Sequence, residues 1–167
     1  MRTPAFRSDA RAAIDVPFKM LLSVILVSMA TAILYPALEA YQETEMELRV
    51  SLTISEIEAA ALSVSRHPGS SRTVLVDVPS SGGIRLERLT VGGDLTGPPA
   101  DLGTIGWELS SGTSGIHLVS SNTGPVPMAG PEGAVLEILA FPCLIVLEAR
   151  ASPQGAHCPT HVHVRTA

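Results

Sequence analysis

An unbroken apolar segment dominates the hydropathy pattern near the start of the chain. The uncharged residues begin at Met20, directly after Lys19, and end at Leu38, directly before Glu39. A segment of this length, at about 1.5 Å per residue, comes close to the ~30 Å hydrocarbon core of a bilayer. The pattern therefore predicts a membrane-spanning helix near the N-terminus.

The composition beyond the apolar segment allows the helix to continue to residue 66. Residues 39–66 are rich in good helix formers and contain neither Gly nor Pro. Apolar residues recur there at alternating spacings of four and three, which is typical of one helix face. The members of this seam are Val50, Ile54, Ile57, Ala61 and Val64. The seam packs either against the protein's own globular part or against a partner helix.

Three further features of this region bear on the helix. Residues 48–54 also alternate between apolar and polar side chains, which leaves a local strand open as an alternative. Pro36 lies inside the helical segment and predicts a kink there. The sequence His-Pro-Gly-Ser at residues 67–70 ends the helix.

The remainder of the chain alternates between apolar and polar positions in short runs separated by Gly, Pro, Ser and Asp. Residues 144–147 are apolar on both faces and predict a central strand, and a phase shift within residues 84–91 predicts a bulge. The loop 122–133, with its prolines and glycines, predicts a surface connection. The predicted strands are residues 72–78, 84–91, 104–109, 115–120, 134–140, 143–151 and 160–165.

Seven short strands with regularly spaced turn signals indicate an antiparallel β-sandwich or small barrel. Together with the helix they predict an α+β fold, in which a long N-terminal transmembrane and stalk helix precedes a mainly antiparallel β-sandwich head. The last hundred residues are enough to bury a modest core of their own.

Charge predicts the orientation of the anchor. Residues 1–19 carry a net charge of +2, whereas the whole chain carries −5. Positive charge before the apolar segment favours a cytoplasmic N-terminus and an exported C-terminal part. A plain single-pass anchor satisfies this pattern. A cleaved secretory signal also remains open, because Ala30-Thr31-Ala32 has the small-x-small form of a signal peptidase site.

The residues before the apolar segment support a third interpretation. Arg11, Ala12 and Ala13 follow a short basic leader. This basic-plus-small pair resembles the processing site of archaeal type IV pilin-like proteins, which carry class III signal peptides. Residues 15–19 are also similar to the acidic-aliphatic-Pro-x-basic opening of many such proteins.

The resemblance implies a specific domain organisation and partners. A prepilin-type peptidase would cut before Ala13, so that the helix stays in the mature protein. Residues 1–12 would form a cytoplasmic leader, residues 13–66 the transmembrane helix and stalk, and residues 67–167 the exported head. Membrane lipid and other pilin-like subunits are the further partners implied. The expected role is that of a cell-surface protein, structural or adhesive, including a minor subunit of a pilus-like filament.

Two cysteines, Cys143 and Cys158, lie in the part that is predicted to be exported. An even number of cysteines in an oxidising compartment favours a disulfide. Such a bond would close a loop of about 15 residues and stabilise the fold by about 3 kcal/mol through chain entropy. Two unpaired thiols, with Cys143 buried, are the alternative.

A histidine cluster near the C-terminus has the chemistry of a metal site. His161 and His163 would point to the same face of a strand, with His157 or Cys158 as a third ligand for Zn²⁺ or Cu²⁺. A Cys158 engaged in a disulfide would be unable to bind the metal. The alternative is a terminal strand with polar residues on one face, so an exported metal-binding module remains a second functional hypothesis.

Other functional classes find little support in the sequence. It contains no Gly-x-Ser-x-Gly motif and no phosphate-binding loop, and residues 91–94 (Val-Gly-Gly-Asp) are interpreted as a turn. The acidic charge of the exported part argues against nucleic acid as a partner. We therefore expect neither an enzyme nor a bound cofactor.

Overall fold

The first element of the chain is one long helix. The computed structural model describes residues 10–67, 69–96, 101–152, 158 and 160–167, with side chains from residue 17 onward. Helix α1 spans Ala10–Ser65, and Pro17 and Pro36 lie inside it without ending it. The predicted continuous helix is confirmed, and the alternative of a strand at residues 48–54 is not, because those residues are helical.

The chain divides into two compact units, and the division falls inside α1. The first unit ends at Tyr41, and the second comprises Gln42–Ala167. This division differs from the predicted boundary between residues 66 and 67. The reason is that the second part of α1 belongs to the same core as the strands.

Every side chain from residue 17 to residue 41 is exposed, including the whole apolar segment. In the described part of the chain, one helix is long and apolar enough to cross a membrane. It lies within Pro17–Ser65, and its most apolar window has a mean hydropathy of 2.1 with no residue buried. These properties are those of a single-pass membrane protein.

The second unit contains two four-stranded sheets and a two-stranded ribbon. The first sheet has the strand order β1-β9-β10-β7, the second β4-β3-β2-β8, and β5 pairs with β6. All pairs are antiparallel except the parallel pair β7–β10. The strands are β1 Ser71–Val76, β2 Leu86–Val91, β3 Thr104–Leu109, β4 Ser114–Leu118, β5 Ser120–Ser121, β6 Gly124–Pro125, β7 Met128–Ala129, β8 Leu136–Ile138, β9 Cys143–Ala151 and β10 Thr160–Thr166.

The alternation of apolar and polar residues in the sequence predicted the positions of most of these strands. The bounds of β3 and β9 agree with the prediction, and a register shift between Leu86 and Arg88 confirms the bulge. Strand β9 lies between β1 and β10, as expected for a central strand. The α+β class with mainly antiparallel strands is therefore confirmed.

The segment 122–133 differs from the predicted surface connection. It contributes β6, β7 and a short 3-10 turn, Pro131–Gly133. Met128 and Ala129 are fully buried, because β7 pairs with β10 at Val162 and His163. Prolines and glycines in this segment therefore bend a chain that enters the core rather than one that stays at the surface.

The predicted seam of α1 is buried in the protein's own β unit. Each of its five residues is at most 4% exposed and belongs to a single hydrophobic cluster with residues of both four-stranded sheets. Met46 extends the same face by one further turn. The seam therefore packs against the chain's own strands, and neither a free stalk nor a partner helix at this face agrees with the structure.

Two glycines lie in turns where the chain comes close to another part of the second unit. Gly82 has a φ of +59°, and a side chain there would collide with Gln42 of α1. Gly92, with a φ of +82°, lies against the carbonyl of Met128, so a Cβ atom would strike backbone. Both positions favour glycine for the left-handed conformation, and Gly92 also requires it for the close approach to backbone.

Candidate functional site

His161 and His163 lie next to each other on β10, on the face opposite the main core. Their ring centroids are 6.2 Å apart in an edge-to-face arrangement. His161 is 7% exposed, and its Nδ1 lies 3.0 Å from the hydroxyl oxygen of Ser152. The same hydroxyl lies 3.6 Å from Sγ of Cys158. The structure thus brings two of the three predicted histidines together.

Burial determines the charge state of this pair. Burial lowers the pKa of His161, and the neighbouring His163 and Arg150 lower it further. Burial likewise lowers the pKa of His163, although Glu148 acts in the opposite direction. Both shifts favour the neutral imidazole, which is the form that binds metal ions.

The third predicted ligand, His157, lies outside the described residues. Among the residues that are described, no three His, Cys, Asp or Glu side chains are placed to hold a metal ion. Ser152 lies within hydrogen-bonding distance of both His161 and Cys158, and the ring of His163 contacts that of His161 edge to face.

Cys143 and Cys158 are free thiols in this structure. Cys143 begins β9, whereas Cys158 lies two residues before Thr160, which pairs with Ala151 at the end of β9. The length of β9 separates the two sites by about 27 Å, far beyond the ~7 Å between Cα atoms that a disulfide tolerates. The predicted disulfide is therefore not formed.

The two thiols also lie in different surroundings. Cys143 packs against the main core, and burial raises its pKa. Cys158 packs against a small separate cluster of Leu95, Leu102 and Ala129. The environment of Cys143 does not activate its thiol, since activation requires a lowered pKa.

The predicted processing residues, Arg11, Ala12 and Ala13, fall at the start of α1. Their side chains lie outside the described part of the chain, so the processing site stays a prediction.

A cleft lies at the C-terminal end of α1, next to His161. Its first part is a cavity of about 250 Å³ between the end of α1, the segment before β7 and the adjoining ends of β9 and β10. The lining of this part is Ser65, Val126, Pro127, Ala149, Arg150, Ala151, Thr160, His161 and Val162. It is mainly apolar, with the polar groups at its edges.

The second part of the cleft is wider and more polar. It has a volume of about 560 Å³ and shares Ser65, Val126, Pro127 and Thr160 with the first part, so the two parts adjoin each other. Arg66 and the ribbon β5–β6 with its turn complete the lining, through Ser121, Asn122, Thr123 and Pro125. Two arginines line the cleft, and no acidic side chain is among its described lining residues.

Several polar groups of this cleft have no partner in the described part of the protein. Arg66, Asn122 and Thr160 are exposed and make no side-chain hydrogen bond or ion pair with any other described residue. By contrast, Arg150 donates to Glu148 from Nε at 3.1 Å and from Nη2 at 2.7 Å. The cleft therefore presents a guanidinium, an amide and a hydroxyl that remain available to a ligand.

Sequence reasoning did not find this cleft. Its walls come from the end of α1, from residues 121–127 and from the ends of β9 and β10, which are far apart in the chain. No local motif marks them, and only His161 belonged to a predicted site. Chemically, the arrangement offers hydrogen-bond donors and positive charge beside apolar side chains, which suits the binding of a small ligand.

The chain matches no protein-family model, no curated protein and no solved structure.

Proposed function

We propose that this protein is a pilin-like, membrane-anchored surface protein with a structural or adhesive role. The observation that carries the proposal is the division of α1 into an uncovered apolar part and a part buried among β strands. The first part acts as the anchor. The second belongs to a folded unit that the anchor holds at the surface.

The physical properties of the first part suit a lipid environment. The uncharged residues between Lys19 and Glu39 extend for about 28 Å as a helix, close to the ~30 Å hydrocarbon core. The hydroxyls of Ser23 and Thr31 donate to the carbonyls of Lys19 and Val27, one turn earlier in the helix. These polar groups are therefore satisfied inside the helix, as a lipid environment requires.

The charge distribution supports a cytoplasmic N-terminus. Arg2, Arg7, Arg11 and Lys19 precede the apolar segment, whereas the second unit is acidic. Under the positive-inside rule, the basic residues before the segment support a location of the second unit outside the cytoplasm. The resemblance of Arg11, Ala12 and Ala13 to a prepilin-type processing site adds a cut before Ala13.

The structure constrains how such a protein would assemble with other subunits. The seam of α1 is occupied by the protein's own strands. In this proposal, contacts between subunits of a type IV pilus-like filament form along the apolar segment 20–38. The second unit is then a β-sandwich head closed by its own helix, and its loops face the surroundings.

The experiment that tests the proposal determines the mature N-terminus and the topology in native cells. Mass spectrometry of the membrane protein should find Ala13 as the first residue, and Arg11→Gln should block the cut while Arg7→Gln leaves it unchanged. A C-terminal epitope should be removed when intact cells are treated with protease.

Other outcomes distinguish the alternatives. An N-terminus at Met1 would reject the pilin-like processing and leave a plain tethered protein. An N-terminus after Ala32 would reject the anchor. A C-terminal epitope that resists protease until the cells are lysed would reject the surface location.

A further inference from the structure

We propose that the cleft at the end of α1 binds an acidic saccharide, with the carboxylate of a uronic acid unit at Arg66 and its hydroxyls at Asn122 and Thr160. Such a ligand would give a specific target to the adhesive role proposed above, and in this respect the proposal rests on the proposed function. The chemical class of the ligand is inferred from the residues that line the cleft.

The first argument is charge. Between Gln42 and Ala167 the chain carries thirteen acidic and seven basic side chains, a formal net charge of −6. The cleft departs from this average, because its lining includes Arg66 and Arg150 and no described acidic residue. An anionic group would be repelled by most of this unit and attracted to the cleft.

The second argument is the availability of the polar groups. Arg150 is held by Glu148, so its positive charge is partly compensated. Arg66 has no such partner among the described residues, and its guanidinium is free to form two parallel hydrogen bonds with a carboxylate. The amide of Asn122 both donates and accepts, and the hydroxyl of Thr160 does the same, which suits sugar hydroxyls.

The third argument is the apolar floor. Val126, Pro127, Ala149 and Val162 line the first part of the cleft beside these polar groups. A sugar ring presents C–H groups on one face and hydroxyls at its edge, so it matches both surfaces. A bare inorganic anion would leave the floor unused, and a neutral sugar would leave Arg66 unused.

Size is the fourth argument. The two parts of the cleft, about 250 and 560 Å³, are comparable with small-molecule sites, which extend from roughly 300 to 1,000 Å³. The cleft is therefore large enough for a short chain of sugar units. One or two units would fill it.

The test measures binding to the full chain in a zwitterionic detergent without a sugar headgroup. Isothermal titration compares an oligomer of D-glucuronate with an oligomer of D-glucose of equal length and with oligo-glutamate. We expect the glucuronate oligomer alone to bind, and added salt to weaken it. Arg66→Gln should reduce the affinity about tenfold or more, as expected for loss of a hydrogen bond to a charged group.

Two variants complete the design. Asn122→Ala should weaken binding of the glucuronate oligomer, whereas Arg72→Gln, an exposed arginine outside the cleft, should not. The fluorescence of Trp107, the single tryptophan, shows whether each variant is folded, since this side chain packs against the main core. A loss of binding then reflects the cleft and not the fold.

Three results would overturn the proposal. The first is the absence of binding to the glucuronate oligomer at millimolar concentration. The second is equal binding of the glucose oligomer, or an Arg66→Gln variant with unchanged affinity. The third is equally tight binding of oligo-glutamate, which would indicate an acidic peptide as the ligand. All three are independent of the N-terminus and the topology, so failure of this proposal is distinguishable from failure of the anchor.

Discussion

Single carboxylates of α1 connect the helix to loops of the β unit. Glu45 accepts a hydrogen bond from the hydroxyl of Ser81 at 2.8 Å and from Arg49 at 2.6 Å, and both interactions lower its pKa. Glu43 accepts a hydrogen bond from Thr113, which lowers its pKa as well. These contacts need the ionised form of each carboxylate.

The lowered pKa values predict how stability depends on pH. In the unfolded chain both carboxyl groups titrate near 4.5, and in the folded protein they titrate below that value. The folded state therefore binds fewer protons in this range, so the stabilisation is complete above pH 4.5 and is lost as the pH falls through the folded pKa. Glu45→Gln should reduce this acid dependence, measured as the denaturant midpoint of Trp107 fluorescence above and below pH 4.5.

Glu56→Gln is the control for this prediction. Glu56 lies on the same helix but makes no side-chain hydrogen bond with another described residue. Its replacement should leave the acid dependence as it is in the unchanged protein. Equal effects of the two variants would contradict the role assigned to the Ser81 and Arg49 contacts.

At the scale of elements, the second part of α1 is a component of the β unit's core. Ile57 is fully buried in the seam, whereas Leu52 on the same helix is 69% exposed. Ile57→Ala should therefore lower the free energy of unfolding by about 2–5 kcal/mol through lost burial and a residual cavity. Leu52→Ala should change it by less than about 0.5 kcal/mol.

Chemical denaturation followed by Trp107 fluorescence measures both variants, because the indole reports on the strands rather than on α1 itself. A small effect of Ile57→Ala would mean that the helix and the strands unfold separately. Equal effects of the two variants would mean that the seam contributes no more than the exposed face.

The sequence predicted those helices and strands whose residue pattern lies within a single segment of the chain. The spacing of the seam identified the buried face of α1, and alternation together with turn residues located β3 and β9. Strand β7 was missed because it has only two residues, Met128–Ala129, and its partner β10 lies more than thirty residues later. A parallel pair of this kind leaves no periodic pattern in the sequence.

At the scale of the whole molecule, the two compact units predict where the chain can be divided. The fragment Gln42–Ala167 should fold and remain soluble without detergent, because it contains the whole hydrophobic core. A fragment of residues 67–167 should aggregate or stay unfolded, since it lacks Met46 and the seam and would expose the faces that they cover. Size-exclusion chromatography and circular dichroism compare the two fragments.

The opposite result is that the fragment of residues 67–167 folds with the same thermal midpoint as the longer fragment. This result would show that the strands form a complete domain without α1. The predicted boundary between residues 66 and 67 would then be the correct one.

The cleft and the separation of the two cysteines also depend on how distant parts of the chain pack together. Spacing in the chain suggested a bond between Cys143 and Cys158, which are fifteen residues apart. The extended strand β9 lies between them and holds them at opposite ends. Arg66, Asn122 and Thr160 are much farther apart in sequence, yet the packing of α1 against the strands brings them to one depression.

The long helix, its membrane-spanning segment and the mainly antiparallel character of the strands after it were all predictable from the amino-acid sequence. These properties depend on length, hydropathy and periodicity, which are local and do not require knowledge of distant contacts. The folded structure was needed to show that the seam is covered by the chain's own strands, that β7 enters the core and that a cationic cleft forms beside His161. Each of these features depends on contacts between segments that are far apart in the chain. Burial of apolar surface in the whole core stabilises these contacts, so no single segment determines them.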